Sequence, residues 1–197
     1  MRRLVLASAS PARRYLLESA GLKPEVVVSN VAEDGTGHLA PAEAVAALAR
    51  RKGQAVAERL RPTDALVLAC DSMLEFGGEC WGKASSSDEV VRRWRLLRGG
   101  RGLLHTGHFL LDAGDGRHAG HTDTAVVHFG RPSDEEIEAY AATAESLQVA
   151  GPFTLEGRSA PWIDAIEGSY GTITGVSLAV VRDLLDQLGV RLIDLWQ

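Results

Sequence analysis

The first grouping able to do chemistry is LASASPARR, residues 6–14, where two serines and an arginine follow an apolar run. Pro11 suits the first position of a helix and Ser10 the cap before it. The exposed N–H groups of such a helix end attract anions, phosphate above all, and Ser8 and Ser10 add hydroxyl donors. Arg13 and Arg14 are not equivalent. Arg14 stands four residues before Glu18, the spacing of a surface helix pair. Arg13 precedes Leu16 and Leu17 on the stripe that should face the core. A cation there needs a partner, and a ligand phosphate is favoured over an internal carboxylate.

Three further groups extend this set. Lys52 falls on the inward stripe defined by Val45, Leu48, Ala49, Val56 and Leu60. It either snorkels to water or reaches a pocket at the edge of the core. Its neighbours Arg50 and Arg51 point elsewhere and read as solvated. Asp71 follows the apolar run LVLAC, so it emerges at the carboxyl end of an interior strand, where open α/β sheets bind ligands. There it can hold a hard divalent cation, accept a proton from water, or simply cap the strand end. Glu33, in the polar loop VAEDGTGHL, can supply a second oxygen ligand.

Other patterns carry less. GGECWGKA (77–84) matches the spacing of a phosphate loop, but Ala84 stands where Ser or Thr is needed and the segment reads as a hairpin. Lys83 can still contact a phosphate from another direction. His105 and His108 point to opposite faces of one strand, as do His118 and His121, so polar strand positions are the better reading than a metal cluster. No G-x-S-x-G supports a serine nucleophile. Cys70 and Cys80 have neither metal-ligand spacing nor a disulfide framework around them.

The elements that must position these groups are legible in outline. Strands are expected over residues 3–8, 24–29 and 64–71, with helices from 11 to about 20 and from near Pro41 to about Leu60. MLEFGGECWG reads as a hairpin turning at Gly77-Gly78, and SSSDEVVRRWRLL as a capped helix. Two long strands, about 102–113 and 117–130, flank the turn signal AGDG. A short helix follows Ser133, and SLAVVRDLLDQLG forms the last one. Strands and helices alternate with hairpins between them, which predicts an α/β fold with a mixed twisted sheet and flanking helices, in one continuous domain over 1–197. With 45% hydrophobic and 24% charged residues and a net charge of −5, the 197-residue chain is ordinary for a soluble protein, and no basic excess points to nucleic acid. No apolar run approaches the ~20 residues that span a bilayer, and the N-terminus does not read as a targeting peptide, so a cytoplasmic protein is expected.

Taken together the motifs resemble one family. S-x-S-P-x-R at 8–13, V-x-E at 31–33, L-A-x-x-K at 48–52, A-C-D-S at 69–72 and G-K at 82–83 come in the order seen in Maf proteins, also called septum-formation proteins. H-T-G at 105–107, A-G-x-F-x-x-E-G at 150–157, and G-S-Y followed by G-V-S-L near 168–178 complete the series, which covers essentially the whole chain. The resemblance implies an inosine-triphosphate-pyrophosphatase-like two-lobed fold with a central cleft. It implies hydrolysis of nucleoside triphosphates to monophosphate and pyrophosphate, with a divalent cation (magnesium or manganese), in a cytoplasmic protein that is often a homodimer. Carried over, Ser8, Ser10 and Arg13 cradle the triphosphate, Lys52 and Lys83 neutralise it, Glu33 and Asp71 place the metal, and Asp71 is the catalytic carboxylate.

Two departures bear on specificity. Many members have an arginine where Ala12 stands, and Arg14 lies about 100° round the helix from Arg13. Where members that prefer dTTP and UTP carry D-K-A-G and a glutamine, this chain reads Gln148-Val149-Ala150-Gly151 and offers Glu156 as a substrate contact. The pattern is more similar to the branch acting on 7-methyl-GTP, which implies a role in clearing noncanonical or modified nucleotides. The alternatives are a catalytically weak nucleotide-binding regulator of cell division and a phosphatase acting on another ester.

Overall fold

β1 (Arg3–Leu6) leads through α1 (Pro11–Ser19) to β2 (Glu25–Val26), and α2 (Pro41–Leu60) leads to β3 (Ala65–Phe76) and β4 (Glu79–Trp81). After α3 (Ser87–Leu97) come β5 (Arg101–Asp112), β6 (His118–Phe129), α4 (Asp134–Ala141), β7 (Ile163–Glu167), α5 (Tyr170–Thr174) and α6 (Leu178–Gln187). The computed structural model describes residues 2–60 and 63–197. Its seven strands form one mixed sheet in the order β2-β1-β3-β5-β6-β7, with β4 paired to β3, flanked by helices as expected.

The chain divides into two compact units. The first comprises the chain up to Asp71, Thr106–Asp123 and Gly175–Gln197. Here β1 runs parallel to both β2 and β3, with Leu4 opposite Leu66 and Leu6 opposite Leu68. Both faces of β1 after Arg3 and of β3 up to Asp71 are buried, which is why these stretches read as continuous apolar runs. Leu4, Leu6, Leu66, Leu68 and Cys70 pack with α1 and α6. The alternate residues Val5, Ala7, Ala65, Val67 and Ala69 pack with α2.

The second unit comprises Ser72–His105 and Thr124–Thr174. Its core is aromatic. The buried Trp94 on α3 meets Phe129, Tyr140 and Trp162 edge-on, with centroids 5.8, 6.1 and 5.4 Å away. Its indole N–H donates to Pro152 O at 2.8 Å. Trp81 packs on Phe76 and lies beneath the Arg93 guanidinium.

The main departures from expectation are two strand boundaries and two further elements. The second strand is only Glu25–Val26, because the carbonyls of Val28 and Ser29 are taken by the Arg59 side chain instead of a ladder. β3 does not stop at Asp71. It continues to Phe76 because its outer half pairs with β4 across Gly77-Gly78, whose φ values of +59° and +84° suit a two-residue hairpin. β7 and α5 have no counterpart in the sequence reading: β7 buries none of its residues fully, and α5 is a short stretch containing glycine.

Candidate active site

From β1 the chain reaches β2 on one side through α1, and β3 on the other through α2. Leu17 of α1 joins one core and Ala49 and Val56 of α2 the opposite one, so the two helices leave on opposite faces. That makes the carboxyl end of β1, beside the middle of β3 where their ladder stops at Leu68, a topological switch point, the usual ligand crevice of an open sheet. Ser8 and Ser10 stand there. Ser10 caps α1, its hydroxyl accepting from Arg13 N at 3.4 Å, while its own N–H donates to Ser8 Oγ at 3.2 Å.

Arg13 is held within the first unit. Its Nε donates to Gly175 O at 2.8 Å, and Nη1 donates to Cys70 O at 2.8 Å and to Ser8 Oγ at 3.1 Å. The close carbonyl requires Gly175, which has φ +99° and where a Cβ would sit 2.7 Å from the Arg13 Nε. Arg14 pairs with Glu18 at 2.7 Å on the surface, as its spacing indicates.

The parity of β3 decides where Asp71 points. Residues 65, 67 and 69 face α2, so Asp71 does too, and Lys52 is on the facing side of that helix. The Asp71 carboxylate accepts from the Lys52 ammonium, which also donates to Glu33 Oε1 at 2.6 Å. Lys52 therefore reaches an acid rather than water, and one ammonium bridges two carboxylates. Close approach of helix to sheet makes this possible. A Cβ at Gly53 would lie 2.6 Å from the Phe109 ring, and one at Gly107 would lie 2.4 Å from Val45 O.

Asp71 is buried. Desolvation raises its pKa above the ordinary carboxylate value, an effect opposed by the charges of Lys52 and Arg13. Burial also pushes the neighbouring Cys70 thiol up to about 11. Cys70 and Cys80 form no disulfide.

The Glu33 loop is held by a residue that the sequence reading set aside as solvated. Arg51 donates from Nη1 to Asp34 O and from Nη2 to Ala32 O, both at 2.8 Å. The helical spacing placed Arg51 away from the core, and nothing in that spacing marks a loop folding back over it.

Lys83 and Glu156 belong to the second unit. Residue 83 forms a bridge with Ala150, and Gly151 N donates to Gly82 O at 3.2 Å, so the G-K and A-G segments run against each other. Glu156 accepts from the Tyr170 hydroxyl at 2.7 Å and from the Thr154 hydroxyl at 2.6 Å.

The histidines make no metal cluster among the described residues. Two of them are nonetheless buried, unlike ordinary polar strand positions. His105 lies 2.9 Å from Thr124 Oγ1 and 3.0 Å from Glu75 Oε2. His108 Nε2 accepts from Ser177 N at 2.8 Å, which assigns the ring proton to Nδ1. Burial, aided by the Arg13 charge, depresses the His108 pKa to about 4.

With this geometry in hand, the chain compares closely with known proteins. Residues 3–188 match the model of the family described as Maf-like protein. A nucleoside triphosphate pyrophosphatase of Streptomyces avermitilis is 50% identical over 195 residues, covering 99% of this chain and 95% of the relative. Proteins of the same name from Streptomyces coelicolor and Nostoc punctiforme are 49% and 40% identical; the matches cover 99% and 98% of this chain, and 95% and 97% of the relatives.

Proposed function

The chain belongs to the Maf family, and on that premise we propose that it hydrolyses nucleoside triphosphates to nucleoside monophosphate and pyrophosphate. The observation that carries the reading is the Lys52 bridge between the buried Asp71 and the exposed Glu33, in the same unit as the serine and arginine cradle after β1. A triphosphate carries about four negative charges, and positioned cations offset the repulsion that incoming water meets. Ser8, Ser10 and the N-terminus of α1 bind phosphate oxygens, with Arg13 and Lys52 supplying the positive charge.

Asp71 accepts a proton from the attacking water. The water oxygen bonds to the α-phosphorus, the bond from that phosphorus to the bridging oxygen breaks, and pyrophosphate leaves with the electron pair. A carboxylate whose proton affinity is raised by burial suits that role.

A divalent cation fits the same residues. Glu33 and Asp71 are all-oxygen donors converging on one positive charge. Magnesium or manganese needs only one or two such carboxylates when substrate phosphate and water complete its shell. When bound, the ion would add Lewis-acid stabilisation of charge on the transferring phosphoryl group.

Substrate choice leans away from strict dTTP or UTP use and toward modified purine triphosphates. Glu156 supports this, because a carboxylate can accept from the adjacent N1–H and 2-amino donors of a guanine edge together, whereas uracil and thymine present a single N–H donor.

The test is turnover of UTP, dTTP, GTP and 7-methyl-GTP with magnesium or manganese, resolving pyrophosphate from orthophosphate. Pyrophosphate release is expected, and Asp71→Asn lowers it by roughly 10²–10⁴-fold with the fold retained. Orthophosphate release would point to a phosphatase. Binding without release from any nucleotide would favour a regulator.

A further inference from the structure

The loop from Val28 to Gly35 has no regular secondary structure, yet it carries Glu33. Two arginines of α2 hold its backbone. Arg59 Nη2 donates to Val28 O at 2.7 Å and to Ser29 O at 3.2 Å. Arg51 takes the carbonyls on either side of Glu33, those of Ala32 and Asp34, each at 2.8 Å. Its two terminal nitrogens thus fix the Ala32–Glu33 and Asp34–Gly35 peptide units, which bracket the glutamate. Lys52, the next residue on the same helix, receives the carboxylate itself. One turn of α2 therefore sets both the backbone and the side chain of Glu33.

We propose that Arg51 is a positioning residue for the divalent cation, acting through Glu33; this rests on the metal-binding reading of Glu33 and Asp71 given above. Residues that orient a metal ligand commonly matter 10- to 100-fold for affinity. The planar fork of arginine is what spans two carbonyls. Lysine keeps the charge but offers one compact ammonium and loses the simultaneous grip.

The experiment titrates manganese(II) alone into the full chain and follows free ion by electron paramagnetic resonance. Arg51→Ala, Arg51→Met and Arg51→Lys are each expected to weaken binding roughly tenfold. Met retains the apolar stem of the side chain, so its result separates loss of packing from loss of the fork. Glu33→Gln weakens binding as well, and the Glu33→Gln/Arg51→Ala pair is expected to lose no more than Glu33→Gln alone, because Arg51 acts only through Glu33. Wild-type affinity in Arg51→Ala, rescue by Arg51→Lys, or additive losses in the double variant would overturn the proposal. Failure of the underlying reading has a different signature: wild-type protein takes up no manganese, or Glu33→Gln and Asp71→Asn leave its affinity unchanged. The Arg51 proposal then falls with it.

Discussion

The two units are built from different materials. The first packs alanine, valine and leucine between α2 and the strands, with Phe109 as the one aromatic ring of that cluster. Glycines at 53 and 107 bring its helix within touching distance of the sheet. The second packs Trp94, Phe129, Tyr140, Phe153 and Trp162 in a network of edge-on contacts. Small side chains let two charged layers meet, so Lys52 and Asp71 can pair through what is otherwise a core interface. Large rings instead fix direction, and the Trp94 indole fastens Pro152 in the loop that leads on to Glu156. A short helix-to-sheet distance serves an ion pair, whereas directional aromatic packing serves a loop.

This contrast can be tested. The largest effect is expected from Trp94→Ala, which removes the hub of the aromatic network. It should cost about 3–5 kcal/mol in urea unfolding. A loss under 1 kcal/mol would show that the network is redundant.

Acid should act on the other unit. His108 is depressed to about 4 when folded and titrates near 6.5 when unfolded, so the unfolded chain binds the extra proton between those values. Its contribution to stability is full above pH 6.5 and is lost as pH falls toward 4, by on the order of 3 kcal/mol. Below pH 4 this group adds no further change. His108→Gln, whose side-chain oxygen can still accept from Ser177 N, should flatten that portion of the stability profile, and an unchanged profile would remove His108 as the cause.

The smallest effect is expected from Gly53→Ala. Alanine is about 1 kcal/mol better than glycine inside a helix. Here its methyl meets the Phe109 ring at 2.6 Å, so overpacking at about 1–3 kcal/mol should cancel or exceed the gain. Because Lys52 is the adjacent residue, activity should fall further than stability does. Stabilisation with full activity would mean that the close approach is dispensable.

The sequence made some of this readable and concealed the rest for physical reasons. α2 was legible to its ends, Pro41 and Leu60, because its apolar stripe keeps helical period. Lys52 was singled out because it interrupts that stripe. Arg51 was not, since its partners are carbonyls 17 and 19 residues away that leave no periodic trace. β7 was invisible because its side chains lie largely at the surface and show no apolar run. Asp71 was found for its position after an apolar run, yet the strand passes through it, because the pairing with β4 that extends β3 depends on the turn at Gly77-Gly78, further along the chain.

The grip on Arg13 has a kinetic meaning. A guanidinium in water must shed solvent and lose ~2 kcal/mol of rotamer entropy before it can hold an anion. In this molecule two carbonyls and a serine hydroxyl already hold the side chain, so that ordering was completed when the chain folded. A phosphate bound there as proposed would find the charge in place and have little to reorganise, which would lower the barrier to capture as well as the energy of the captured state.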